Sequence, residues 1–182
     1  MESRLLPAVS LDESTFERLL RQLDNPTRLA ARQMIIDLEQ VRFVDPYGMV
    51  GLLVLARFLR QHSCEPVLML PRSDEVMKYL DRMDFSRHAE RLCAIDLTTL
   101  WPDGEYSRST HSDVLLEITP IARSEDIHYI VERVRERAQT ILSQNLHYEQ
   151  AAIDGFVVAL SEVCQNIPEH SEDVGYVAIQ KY

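Results

Sequence analysis

The sequence predicts an α/β protein built in two parts. Three observations carry that prediction. Short apolar runs rich in Val, Ile and Leu alternate with stripes of helical period along most of the 182 residues. The segment from Trp101 to Ser112 breaks the pattern, with Pro102, Gly104, Ser107, Ser109, Thr110 and Ser112 and no apolar period, which predicts a linker over 101–112. A length of 182 residues suits one large domain or two small ones. The expected parts are therefore 1–100 and 113–182.

In the first part, Asp12 stands as a helix cap ahead of Phe16, Leu19, Leu20 and Leu23, an apolar stripe at helical spacing. Asp24-Asn25-Pro26-Thr27 ends that helix. Gln33 to Val44 reads as one strand, with Met34, Ile35, Ile36, Leu38, Val41, Phe43 and Val44 as its apolar members. Asp45 and Pro46 then occupy the N-cap and first helical position of a helix from about Pro46 to Gln61. That helix is apolar almost all round, through Met49, Val50, Leu52, Leu53, Val54, Leu55, Phe58 and Leu59. A helix of this kind packs on more than one side, so it is central or lies at an interface. Pro66 to Pro71 reads as a short buried strand. Ser73 caps a further helix with Val76, Leu80 and Met83 facing inward.

In the second part, Asp113 to Ile121 reads as a strand. Ser124 is placed as the cap of a long helix, with Glu125 and Asp126 at its dipole-positive end. Ile127, Ile130, Val131, Val134, Ala138 and Ile141 form its inner stripe. A second helix begins at about Gln150, with Phe156, Val157, Leu160, Val163, Cys164 and Ile167 expected inward. Tyr176 to Tyr182 alternates as a half-buried strand. Its next sheet partner is not found in the sequence, so either a fragment of a longer protein or a degenerate form kept as a binding scaffold is expected, with an open edge that invites self-association.

Composition narrows the function. The net charge is -10, and a surface that acidic repels nucleic acid and anionic membrane. The longest uncharged apolar run, Tyr47 to Ala56, is too short to span a bilayer, and there is no signal-peptide pattern. Cys64, Cys93 and Cys164 are scattered with no C-x-x-C pair, as expected for reduced thiols in a cytoplasmic protein. His62, His88, His111, His128 and His147 are dispersed and read as surface or satisfied histidines. The run Glu132-Arg-Val-Arg-Glu-Arg137 reads as a solvated helix face with i, i+3 pairs, which could also mediate a homodimer.

One constellation carries chemistry. Glu162, Asn166 and His170 lie at i, i+4 and i+8 of the last helix, near one another on its surface. A carboxylate can take a proton from water, an amide oxygen can ligate a hard cation, and an imidazole can face phosphate. Polar residues opposite an apolar stripe are also where water would be, so spacing alone does not choose between a site and a solvated face. Pro168 disfavours helical geometry at Ile167, so the helix is expected to kink or end there.

Two resemblances follow. Met34-Ile-Ile-Asp-Leu-Glu-Gln-Val-Arg-Phe-Val-Asp-Pro-Tyr-Gly48, with the apolar helix and the Pro-Val-Leu-Met-Leu strand after it, resembles STAS domains of the anti-sigma-factor-antagonist type, over about Gln33 to Arg91. In that family a Ser or Thr after the Asp is the phosphorylated switch. Here Pro46 stands at that position, so the switch does not carry over. The N-terminal region is also expected to lack the family's usual opening hairpin. The order strand, helix, helix with Glu162-x-x-x-Asn166-x-x-x-His170, then strand, resembles the start of the GHKL (Bergerat-type) histidine-kinase-like ATPase sandwich, closest to the anti-sigma-factor serine kinases, over about Asp113 to Tyr182. The resemblance implies ATP and Mg²⁺ as cofactors. It gives Glu162 the water-orienting catalytic role, Asn166 the metal-ligating role and His170 a phosphate contact. The family's Asp-x-Gly-x-Gly adenine loop and glycine-rich lid are not formed by Gly48, Gly51, Gly104, Gly155 or Gly175.

Together the resemblances imply a STAS-like module followed by a partial GHKL module. The implied function is protein–protein regulation in a bacterial partner-switching pathway that governs transcription. The implied partner is a protein such as a sigma-factor regulator, without turnover of ATP by this chain. The alternative they imply is an ATP-binding serine/threonine protein kinase or ATPase whose pocket is completed by further sequence or a second chain.

Overall fold

The computed structural model describes residues 2–23, 33–96, 114–138, 149–171 and 173–180. The chain divides into two compact units, Met1–Thr110 and His111–Tyr182. The protein is of the α/β class, with a parallel sheet flanked by helices. The linker expected over 101–112 lies outside the described residues.

The first unit is built on four parallel strands in the order β1-β3-β5-β6: β1 (Glu2–Leu5), β3 (Gln33–Asp37), β5 (Glu65–Met69) and β6 (Ala94–Asp96). Parallel neighbours need crossover connections. Helix α2 (Pro46–Gln61) supplies the one from β3 to β5. Helices α3 (Asp74–Arg82) and α4 (Phe85–Ala89) supply the one from β5 to β6. Met34 and Ile36 of β3 and Leu68 of β5 are buried between strand and helix.

The strand expected from Gln33 to Val44 is two strands. After β3 the chain turns, with Glu39 N–H donating to Asp37 Oδ1 at 3.0 Å and Val41 N–H to the Leu38 carbonyl at 2.8 Å. Phe43–Val44 then forms β4, parallel to the two-residue strand β2 (Ser10–Leu11). Phe43 is exposed rather than inward. The apolar count was right, but the Asp37 carboxylate accepts the Glu39 N–H and turns the chain after the strand. Strands β1 and β2 lie at the opening, where no hairpin was expected, and α4 and β6 are additional to the expected elements.

Three caps were legible. Asp12 caps α1 (Glu13–Leu20) in a capping box with Thr15. Asp45 Oδ1 accepts the Gly48 N–H at 2.7 Å, with Pro46 in the first turn of α2. Ser73 stands at the N-cap of α3, though its side chain makes no cap hydrogen bond. Val76, Leu80 and Met83 are buried as expected.

The second unit pairs β7 (Val114–Ile121) antiparallel with β8 (Gly175–Gln180), with two register shifts. Helices α5 (Ser124–Ala138) and α6 (Gln150–His170) pack against β7. Leu116, Ile121, Ile127, Ile130, Val134, Val157 and Cys164 form the core. Ser124 is the first helical residue rather than the cap. Asp126 takes the cap's work, its carboxylate accepting the Ala122 and Arg123 N–H groups at 2.8 and 2.9 Å. Ile141 lies outside the described residues. Strand β8 is half-buried throughout, without the alternation expected of it, and Tyr182 also lies outside the described residues.

Candidate functional site

The functional face of α6 is set by what the helix buries. Its inner stripe is Ile153, Val157, Leu160, Cys164 and Ile167, which keeps steps of four and three. Phe156 and Val163, expected inward, are 38% and 65% exposed. Each lies one residue before a stripe position, which rotates it onto the helix flank. The burial of Cys164 pushes its thiol pKa up.

Glu162, Asn166 and His170 are all exposed on α6. Glu162 projects opposite the buried stripe. Asn166 and His170 turn toward the flank that also carries Phe156 and Val163. Four-residue steps separate the three by about 6 Å each along the axis. Among the described residues, no hydrogen bond or ion pair engages these three side chains. Their neighbours are paired: Gln165 Nε2 donates to Glu169 Oε1 at 2.8 Å. The helix does not end at Pro168 but continues to His170, where Ser171 N–H returns to the Ile167 carbonyl at 2.8 Å. Two residues from the C-terminus, the missing proline donor removes one helical bond, and little helix remains beyond it to redirect.

Chemically, the face offers a free carboxylate and, one turn on, a free amide. Among the described residues no three His, Cys, Asp or Glu side chains gather to hold a metal ion. A hard cation at Asn166 would therefore draw its other ligands from phosphate and water, as Mg²⁺ commonly does. Two members of the charged run on α5 pair outside their own helix. Arg133 and Arg137 both reach across to Glu117 on β7, at 2.7 and 2.9 Å.

The first unit holds a second candidate that the sequence reading missed. A groove of about 590 Å³ runs between α1, the 3₁₀ turn Arg21–Leu23 and α2, lined by apolar side chains that include Phe16, Leu20, Leu23, Val54 and Phe58. The signal was present in α2: Tyr47, Gly51, Val54 and Phe58 repeat at steps of four, three and four. Tyr47, Val54 and Phe58 are 46%, 46% and 39% exposed. The Tyr47 hydroxyl donates to Glu17 Oε1 at 3.0 Å. That bond foremost, with burial and the charges of Glu17, Glu13 and Asp45, holds the phenol pKa above its ordinary value.

Cys64, Cys93 and Cys164 are free. Burial pushes the Cys93 pKa up to about 11, so it stays a thiol at neutral pH. Among the described residues no helix is long and apolar enough to cross a membrane. Comparison with known proteins gives no match: no family model, no curated protein and no solved structure matches this chain.

Proposed function

We propose that this protein is a regulator that works by binding other proteins, in a partner-switching system of the anti-sigma type. The observation that carries the reading is uncovered apolar surface on a helix of each unit. Tyr47, Val54 and Phe58 stand out on one face of α2, and Phe156 and Val163 on one flank of α6. Large apolar side chains grouped on an otherwise acidic surface mark contact sites. The resemblance to STAS and GHKL modules supplies the kind of system, and with it a cytoplasmic location. On this reading Asp45 acts as a helix cap, since Pro46 offers no hydroxyl to phosphorylate.

A second reading has its own observation. Glu162 and Asn166 are exposed, unpaired and one turn apart. They would suit a GHKL-type kinase or ATPase in which Asn166 ligates Mg²⁺, Glu162 orients water and His170 meets phosphate. The remainder of such a pocket would come from further sequence or a second chain.

Calorimetric titration of ATP, with and without Mg²⁺, separates the two. The protein-binding reading expects no magnesium-dependent heat from the folded chain and no effect of Asn166→Ala. Magnesium-dependent binding that Asn166→Ala abolishes would overturn it in favour of the nucleotide reading.

A further inference from the structure

The exposed stripe of α2 has a symmetry that bears on its occupant. Tyr47, Gly51, Val54 and Phe58 are spaced four, three and four, a sequence of steps that is the same in both directions. An aromatic ring stands at each end. Between them Gly51 has no side chain, and the Phe16 ring occupies the space that one would take. A Cβ at Gly51 would come within 2.6 Å of that ring. Phe16 in turn meets Tyr47 edge-on, with centroids 6.0 Å apart.

The two ends carry opposite charge. At the Tyr47 end lie Glu17, bonded to the Tyr47 hydroxyl, and Glu13 and Asp45, whose charges are felt by the same phenol. At the Phe58 end the basic group comes from the 3₁₀ turn. Arg21, exposed, sits in the turn whose Leu23 lines the groove beside Phe58. A parallel neighbour of the same kind would set like charges together. An antiparallel one would set acid on base at both ends at once.

We propose that this face is the homodimer interface of the chain, with a second copy seated antiparallel so that Phe58 and Val54 of each enter the groove of the other. A two-fold interface must be self-complementary. The reversible spacing, the matched rings and the opposed end charges meet that condition together. A bound acyl chain would require none of the three, and an unrelated helix would have no need of the reversible spacing. The inference stands on the first unit alone and does not depend on whether α6 meets a nucleotide.

Sedimentation velocity of the full chain over a concentration series is the test. The expected result is a reversible monomer–dimer equilibrium. Val54→Glu places carboxylates near the two-fold axis and raises the dimer dissociation constant by at least about tenfold. Val54 is 46% exposed, so the monomer stays folded, which circular dichroism checks. Glu13→Lys and Arg21→Glu each weaken the dimer, and the two combined in one chain restore it. A monomer at every concentration overturns the proposal, including one whose groove binds a fatty acid or a foreign helix. So does a dimer indifferent to Val54→Glu, or a double swap that restores nothing.

Discussion

Gly48→Ala should destabilise the first unit by about 2 kcal/mol, although alanine is the better helix former by about 1 kcal/mol. The reason is the close passage of α2 over β2. A Cβ at Gly48 would collide with the Leu11 carbonyl oxygen and come within 2.9 Å of the Leu11 carbonyl carbon. Those atoms are backbone, and they cannot swing aside as a side-chain tip would. The same carbonyl accepts the Asp45 N–H at 3.2 Å, so moving it also strains the entry to the helix. Overpacking of this kind costs about 1–3 kcal/mol, and a weakened hydrogen bond adds about 1 kcal/mol. Set against the helix-propensity gain of about 1 kcal/mol, the net is a loss near 2 kcal/mol. For a unit of this size that lowers the melting temperature by about 8 °C. Gly155→Ala on α6 is the control, since nothing lies within 4 Å of its Cβ position. It should stabilise the second unit by about 0.5–1 kcal/mol. Thermal unfolding followed by circular dichroism and hydrogen exchange reads both units. A neutral or stabilising Gly48→Ala would refute the close-approach reasoning.

Two further outcomes follow from charged groups. Asp12 holds its carboxyl at about 2, below the ordinary 3.8, chiefly because it accepts the Thr15 N–H and then the Ser14 hydroxyl. A depressed folded-state pKa stabilises the protein above the unfolded value and loses that contribution as pH falls toward the folded one. Melting temperature should therefore fall between pH 3.8 and about 2, with a smaller fall in Asp12→Asn, which keeps an acceptor but does not titrate. An identical pH profile in the variant would exclude Asp12 as a source. Glu117→Gln removes the carboxylate shared by Arg133 and Arg137, whose side chains are 31% and 32% exposed while that of Glu117 is 13% exposed. The partial exposure keeps the cost to about 1–2 kcal/mol of second-unit stability. Salt titration of the wild-type and variant melting temperatures checks it: the difference should narrow as salt rises.

The sequence carried the helices best, because a helix announces itself by its own ends and its own stripe. Asp45-Pro46 placed the start of α2 where Asp45 does accept the Gly48 N–H, and Gln61 placed its end. Strands were less legible. Apolar content between Gln33 and Val44 could not show that the Asp37 carboxylate would accept the Glu39 N–H and that the run would divide between two sheets. Strand β1 (Glu2–Leu5) has only Leu5 buried to mark it, and its parallel pairing with β3 is decided by residues some thirty positions away. The chain divides at Thr110–His111, and the Pro, Gly and Ser-rich stretch read as a linker lies outside the described residues.

Legibility at the candidate sites follows the same physics. Periodicity assigned α6 too wide an apolar face, and with it an inward Phe156 and Val163. The two-stranded sheet with α5 can cover only the stripe through Val157 and Cys164. That surplus is informative. An apolar residue that periodicity assigns to the core and that stands exposed among the described residues offers a contact surface. Val54 and Phe58, on a helix expected to be central or at an interface, are exposed in the same way. Glu162 and Asn166 are the converse case, polar where solvent would place polar residues anyway, so their exposure is compatible with a site without arguing for one. The apolar surplus therefore weighs more than the polar constellation, and binding surfaces stand ahead of catalysis in the reading of this chain.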